Sequence, residues 1–191
     1  PYRILVAEIL LRQTRASQVS KVYPELVGEY PTLKDLARAD ARKLRSRIKS
    51  LGIRSRASDL VTIAKRVEKE WGGRIPDDPE TLVSLPGVGD YVANSILVRA
   101  FGERRPLVDS NVNRVLSRVF LGSNQTSQKT AEKIFTSLSR SSRPGPLNYA
   151  IIDLAHSICS HNNPKCPICP LSTCCHHRQK TLEIPAHIRE P

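Results

Sequence analysis

Four of the five cysteines lie close together near the C-terminal end of the chain, in a pattern that can bind a metal centre. They follow the spacing Cys159-x6-Cys166-x2-Cys169-x5-Cys175. Disulfides would leave one thiol over, and zinc sites usually take two Cys-x2-Cys pairs, whereas this loop has one. Four thiolates on one short loop can each ligate one iron of a cubane. The spacing therefore favours an iron–sulfur cluster, with zinc as the alternative and Cys174 outside the pattern.

A glycine-rich turn at residues 85–89, Leu-Pro-Gly-Val-Gly, separates two predicted helices. Glycines in this register let the backbone turn tightly and present successive N–H groups beside a helix N-terminus. Such a surface binds a phosphate oxygen without reading base sequence. We therefore predict that Gly87, Val88 and Gly89 contact the backbone of a nucleic acid, with an ordinary helix–helix turn as the alternative.

A third motif, residues 107–113 (Leu-Val-Asp-Ser-Asn-Val-Asn), lies between the turn and the cysteines. The three motifs, in this order, resemble the helix–hairpin–helix (HhH-GPD) DNA glycosylase superfamily, in its endonuclease III and adenine glycosylase branch. The resemblance extends from Glu8 through Cys175. It implies an all-α, two-lobed fold with a [4Fe–4S] cluster on the cysteine loop. In that family the cluster is a structural and DNA-docking element and not the site of base excision.

Asp109 matches the catalytic aspartate of this superfamily. Breaking a glycosidic bond leaves positive charge on the deoxyribose, which a nearby carboxylate stabilises, and the same group can position a water molecule. The alternative is that Asp109 caps the helix that begins near Asn111. Asn111 is expected to orient the aspartate or to contact a phosphate.

Tyr91 stands where bifunctional relatives carry a lysine that attacks the sugar and then cleaves the strand. A phenol cannot form that Schiff base. The resemblance therefore implies a monofunctional enzyme that uses water as its nucleophile. The alternative role for Tyr91 is packing at the edge of the hairpin, which leaves the missing lysine unchanged.

Glu8 matches a glutamate that faces the base pocket in adenine glycosylases and in archaeal G/T mismatch-specific thymine glycosylases. In a dry pocket its pKa would rise, so that it could protonate or hydrogen-bond the leaving base. Gln13 matches a residue that enters the base stack, and Ile53 matches a second, apolar wedge. Arg54, beside Ile53, is expected to contact DNA. Glu8 has helix-dipole compensation as its alternative role.

The thymine glycosylases resemble the chain most, because they share Tyr91, a short C-terminal segment and a stretch like residues 72–76. Adenine glycosylases carry two tyrosines where this chain has Ile53 and Arg54. We therefore predict excision of thymine or uracil opposite guanine, with adenine opposite guanine or 8-oxoguanine as the alternative. A non-catalytic DNA-binding relative or a redox protein would have no use for Asp109. One departure is Asp90, where relatives often carry Lys or Arg.

The sequence predicts helices along nearly the whole chain, and these helices would position the residues described above. Thr32, Asp40 and Asp78 have the features of N-caps, and a stripe from Leu60 to Trp71 ends at glycines. The helix from Asp40 is expected to run to Gly52, and residues 141–146 are expected to form a loop or a connection between lobes. We predict a central lobe of residues 23–140 and a second lobe of residues 1–22 with 141–191. Glu8 and Asp109 would then face each other across a DNA-binding cleft.

The 191-residue chain carries a formal net charge of +12, spread along its length, which favours DNA or RNA as a partner, with a generically basic protein as the alternative. The family resemblance implies double-stranded DNA with a mispaired or damaged base. No apolar run is long enough to span a bilayer and no signal peptide is evident, so we expect an intracellular protein that does not contact a membrane. We also expect it to be a monomer. The chain has no methionine and begins with Pro1, so we expect an N-terminal piece to be missing.

Overall fold

A computed structural model describes residues 1–183 of the chain, with side chains through residue 180. The described residues contain α-helices, two short 3₁₀ turns and no β-strand, which confirms the predicted all-α class. The α-helices are α1 Tyr2–Leu11, α2 Ala16–Glu29, α3 Leu33–Ala37, α4 Ala41–Arg47, α5 Arg56–Trp71, α6 Pro79–Val83, α7 Asp90–Phe101, α8 Ser110–Leu121, α9 Gln128–Leu138, α10 Pro144–Ser157 and α11 His176–Glu183. The 3₁₀ turns are Lys49–Leu51 and Cys166–Ile168.

The chain folds as two compact units, the first from Pro1 to Glu103 and the second from Arg104 onward. In the first unit, α5 packs against α3 and α4, while α1 packs against α2, α5 and α7. Their shared core is aliphatic, with Leu5, Leu44, Leu60 and Ile96 wholly buried. Burying such side chains stabilises a fold by about 1.5–3 kcal/mol each. The division into lobes drawn from the sequence follows other boundaries and stays a prediction.

The predicted helix starts of the first unit are confirmed. Thr32 and Asp35 form a capping box at the start of α3, and Asp40 Oδ1 accepts a 2.7 Å hydrogen bond from the backbone N–H of Arg42. Asp78 caps α6 in the same way, with Pro79 at the first helical position. Each cap satisfies backbone donors that the first turn leaves free.

The helix from Asp40 ends earlier than predicted. Helix α4 stops at Arg47, and the chain then tightens into the 3₁₀ turn before it reaches Gly52. Gly52 has a φ of 93°, a value that side-chain-bearing residues rarely adopt. The prediction missed the break because Leu44, Ile48 and Leu51 continue the apolar pattern across it.

The second unit is built around α8, against which α9, α10 and α11 pack. Helix α8 buries Val112, Val115 and Leu116 and ends at Gly122 in the left-handed conformation. The loop predicted at residues 141–146 is shorter in the structure, because α10 begins at Pro144. Proline suits this place because its fixed φ and missing N–H are compatible with the first turn of a helix. None of the described helices is long and apolar enough to cross a membrane.

Candidate active site and cysteine loop

Glu8 is buried in the first unit, near the middle of α1. Its Oε1 accepts a 2.7 Å hydrogen bond from Ser95 Oγ on α7, and Arg99 Nε lies 3.6 Å from the same oxygen. Arg99 Nε also donates to Ser95 Oγ at 2.7 Å. Burial raises the pKa of Glu8, and the Ser95 hydrogen bond and the Arg99 charge oppose that rise. A carboxyl group with a raised pKa is suited to proton transfer near neutral pH. Dipole compensation is a poor explanation, because Glu8 lies beyond the first turn.

Gln13 lies exposed in the turn between α1 and α2. Its φ of 50° makes it the one residue other than glycine with a positive φ in the described part of the chain. This left-handed conformation costs about 1–2 kcal/mol in residues that carry a Cβ. Ile53 lies partly exposed in a second turn, immediately after Gly52, and Arg54 beside it is exposed. Both predicted wedge residues thus lie on turns of the first unit.

The hairpin lies between α6 and α7, as predicted. Leu85 and Val88 are buried beneath it, and Val88 donates its N–H to the carbonyl of Leu85 at 3.1 Å. Gly87 has a φ of 74°, and a Cβ at this position would clash with Nη1 of Arg12. Gly89 is exposed at the N-cap of α7, so the turn and the helix N-terminus share one surface.

Tyr91 occupies the second position of α7, directly after this turn, and is partly buried. No lysine occurs anywhere between Lys69 and Lys129 in the sequence. The amine that a strand-cleaving relative would carry at this place is therefore missing from the hairpin and from α7.

Asp109 lies at the N-cap of α8 in the second unit, partly exposed. Its Oδ1 accepts a 2.8 Å hydrogen bond from the backbone N–H of Val112, so the capping role is real. Oδ2 lies 3.4 Å from the side-chain nitrogen of Asn111, and Arg114 donates to the Asn111 oxygen at 3.1 Å. One carboxylate oxygen is thus held by the helix N-terminus, and the other accepts a hydrogen bond from Asn111.

The four predicted cysteine ligands line one cavity of the second unit. The cavity is also lined by Val115, Val119, Leu154 and Ile158, so its walls are largely apolar. Burial and the neighbouring thiols of Cys159, Cys175 and Cys169 all raise the pKa of Cys166. Cys174 is exposed and does not line the cavity.

Among the described residues, no three Cys, His, Asp or Glu side chains are grouped tightly enough to hold a single metal ion. A zinc ion needs four ligand atoms within about 2.3 Å of one centre. A cubane places each thiolate on a different iron, so its ligands stand farther apart around a larger body. Four thiols around one apolar cavity are a donor set that such a cluster can use.

Two buried arginines belong to these sites and were missed by the sequence analysis. Arg118 on α8 is 3% exposed, and its Nη1 lies 3.5 Å from Cys159 Sγ and 2.6 Å from the carbonyl of Ser160. Arg56 lies behind the turns that carry Gln13 and Ile53 and is wholly buried. Because arginine is usually exposed, composition gives no signal for either position.

A family model, the HhH-GPD superfamily base excision DNA repair protein, matches residues 6–141. The chain belongs to this superfamily. It is 42% identical to a thymine-DNA glycosylase of Aeropyrum pernix, over 92% of this chain and 82% of that protein. A thymine/uracil-DNA glycosylase of Pyrobaculum aerophilum is 35% identical, over 90% and 78%. Human adenine DNA glycosylase is 36% identical over 94% of this chain but only 34% of its own length.

Solved structures agree with the fold of this HhH-GPD protein. A thermostable thymine-DNA glycosylase superimposes with a TM-score of 0.86 at 32% identity, covering 94% of this chain and 85% of that one. The predicted family and the helix–hairpin–helix fold are therefore confirmed. Glu8, Gln13, Ile53 and the hairpin lie in the first unit, while Asp109, Asn111 and the cysteines lie in the second. The predicted cleft between Glu8 and Asp109 stays a prediction.

Proposed function

We propose that this DNA glycosylase removes thymine or uracil mispaired with guanine in double-stranded DNA, using water as the nucleophile. The observation that carries the proposal is Asp109, which is held at the start of α8 with one carboxylate oxygen on the helix N-terminus and the other beside Asn111. Thymine and uracil are the bases named for the relatives that this chain matches over most of their length.

The chemistry assigned to Asp109 is electrostatic. As the bond from the sugar to the base lengthens, positive charge develops on the deoxyribose ring, and a fixed carboxylate stabilises it. The same oxygen can accept a proton from the attacking water. Glu8, buried with a raised pKa, is suited to donate a proton or hydrogen bond to the departing base.

DNA binding is assigned to the exposed end of the hairpin, with the wedge residues beside the flipped nucleotide. The turn at Gly87, Val88 and Gly89 presents backbone N–H groups to a phosphate. Gln13 and Ile53 would fill the space that the extruded base leaves, and Arg54 would contact the strand. The net charge of +12 supports a phosphate-dominated, salt-sensitive affinity.

The cysteine loop is proposed to hold a [4Fe–4S] cluster through Cys159, Cys166, Cys169 and Cys175. When bound, such a cluster supplies cross-linking of the loop and a centre that can change oxidation state. The chain itself supplies the apolar wall from α8 and α10 and the Arg118 hydrogen bonds that fix the loop backbone. Base excision is assigned to Asp109 and Glu8, apart from this loop.

The proposal is tested by detecting the free base. The protein is incubated with duplexes that hold one G:T or G:U pair, and released thymine or uracil is quantified by mass spectrometry, with Asp109→Asn as the inactive control. Borohydride added to a parallel reaction should trap no protein–DNA adduct, because Tyr91 cannot form a Schiff base. A trapped adduct would contradict the monofunctional mechanism, and release of adenine alone would contradict the pyrimidine assignment.

A further inference from the structure

We infer that Arg56 is a positioning residue that joins the two wedge turns into one rigid unit. The inference rests on the proposed function, because that proposal gives Gln13 and Ile53 their role in opening the base stack. The contacts of Arg56 in the first unit carry the argument.

The guanidinium of Arg56 contacts both turns at once. Nη1 donates to the carbonyl of Leu51 at 2.9 Å, on the turn that leads to Ile53. Nη2 donates to the carbonyl of Arg12 and to Oγ1 of Thr14 at 2.8 Å, the two residues that flank Gln13. Thr14 Oγ1 in turn donates to the same Leu51 carbonyl at 3.1 Å, which closes the link between the turns.

These contacts lie where helix ends leave carbonyl groups unpaired. Arg56 Nε donates to the carbonyl of Ile9 at 3.0 Å, in the last turn of α1, and the Leu51 carbonyl ends the 3₁₀ turn. The C-terminal end of a helix carries a partial negative charge and four carbonyls without helical partners. One buried cation therefore satisfies the ends of two elements, which explains how a charged side chain is tolerated in this core.

The same contacts hold Gln13 in its unfavourable backbone conformation. A positive φ in a non-glycine residue persists only where the surroundings enforce it. Arg56 fixes the residues on either side of Gln13 and leaves the Gln13 side chain exposed. The turn is thus rigid before DNA arrives, and less ordering is needed when a base is extruded.

The test compares two variants with matched controls. Arg56→Lys keeps the charge but loses the planar set of donors, and Thr14→Val keeps the shape but loses the hydroxyl link. The controls are Arg47→Lys, an exposed ion-pair residue, and Thr62→Val, an exposed residue of α5. Melting by circular dichroism fixes a temperature at which every variant is folded. If Arg56→Lys does not fold, Thr14→Val carries the test.

The first readout is fluorescence of 2-aminopurine placed next to a G:T pair, which reports unstacking and needs no excision. The second is single-turnover excision from the G:T duplex and from a duplex with the thymine opposite an abasic site, where no pair has to be broken. Arg56→Lys should lower unstacking and G:T excision by about tenfold and Thr14→Val by about threefold, since charged hydrogen bonds are lost. Excision opposite the abasic site should stay within about twofold.

Equal losses on both duplexes, or unstacking unchanged from the wild type, would overturn the inference and leave Arg56 with a role in stability alone. A wild-type protein that unstacks the pair but excises no base would contradict the proposed function. In that case, reduced unstacking by the two variants would still support the role of Arg56.

Discussion

Ser95 Oγ donates a 2.7 Å hydrogen bond to Oε1 of Glu8, and both side chains are buried. The bond joins two helices through residues that are 87 positions apart in the sequence. It fixes the orientation of the one buried carboxyl group among the described residues. Burial raises the pKa of this carboxyl group, and the Ser95 hydrogen bond and the charge of Arg99, 3.6 Å from the same oxygen, oppose that rise.

Glu8→Gln should change the pH dependence of stability. Because burial raises the pKa of Glu8, the folded protein holds this proton to higher pH than the unfolded chain does. Its contribution to stability is therefore present below about pH 4.5 and declines as pH rises through the folded pKa. As pH rises through this range, the free energy of unfolding of the wild type should fall relative to that of Glu8→Gln. Urea titration at several pH values measures the difference. A constant difference would contradict the raised pKa.

Glu8→Gln should also lower single-turnover excision by about a hundredfold at neutral pH, because an amide cannot donate a proton to the leaving base. Binding to the same duplex, measured by fluorescence anisotropy, should change little. Excision at the wild-type rate would show that Glu8 has a structural role.

Asp109→Asn and Asp109→Ala should separate catalysis from helix capping. Asparagine is a good N-cap, so the free energy of unfolding of Asp109→Asn should lie within a few tenths of a kcal/mol of the wild-type value. That of Asp109→Ala should be lower by about 1 kcal/mol. Both should lose excision by about a thousandfold or more, because neither carries a carboxylate. Thermal denaturation and single-turnover rates measure the two effects. An active Asp109→Asn would leave this residue as a cap only.

Three glycine-to-alanine variants should lose stability to different extents, which depend on the backbone conformation at the glycine and on the space available for a Cβ. Gly87→Ala should be the most destabilising, because its φ is 74° and the new Cβ would displace Arg12 from its 3.1 Å ion pair with Asp59. Gly102→Ala shares the φ of 74° but has open space, so about 1 kcal/mol is expected. Gly89→Ala has neither problem and should fold normally. Equal unfolding midpoints for Gly87→Ala and Gly102→Ala would argue against the packing of Arg12 on the hairpin.

Cys166→Ser and Cys174→Ser should differ in iron content. Wild-type protein purified without oxygen should hold about four irons and four sulfides per chain. Cys166→Ser should lose most of both, whereas Cys174→Ser should keep them, because Cys174 is exposed outside the cavity. Zinc without sulfide in the wild-type protein would contradict the cluster.

Much of this site could be predicted from local patterns. The caps at Thr32, Asp40 and Asp78, the hairpin glycines and the cysteine spacing are short-range signals, and the structure places the helix starts and the hairpin where they indicated. These features depend on a few neighbouring residues whose backbone geometry is limited by hydrogen bonding and by glycine or proline. Residue types close in sequence are enough to predict them.

The rest depends on contacts between distant segments. Nothing in the sequence distinguishes Arg56, wholly buried, from Arg54, exposed two positions earlier. The left-handed conformation of Gln13 follows from bonds made by residues more than 40 positions away. The partnership of Glu8 with Ser95 likewise appears only when α1 packs on α7. These features depend on tertiary packing, so local sequence propensity does not predict them.

The most direct test of the central claim is a single-turnover assay on four duplexes that hold G:T, G:U, 8-oxoguanine:A or G:A. Each reaction is divided and analysed with and without hot alkali. The proposed function predicts cleavage of the G:T and G:U strands only after alkali, because the enzyme leaves an intact backbone at the abasic site. Cleavage without alkali, or product from the adenine-containing strands alone, would contradict it.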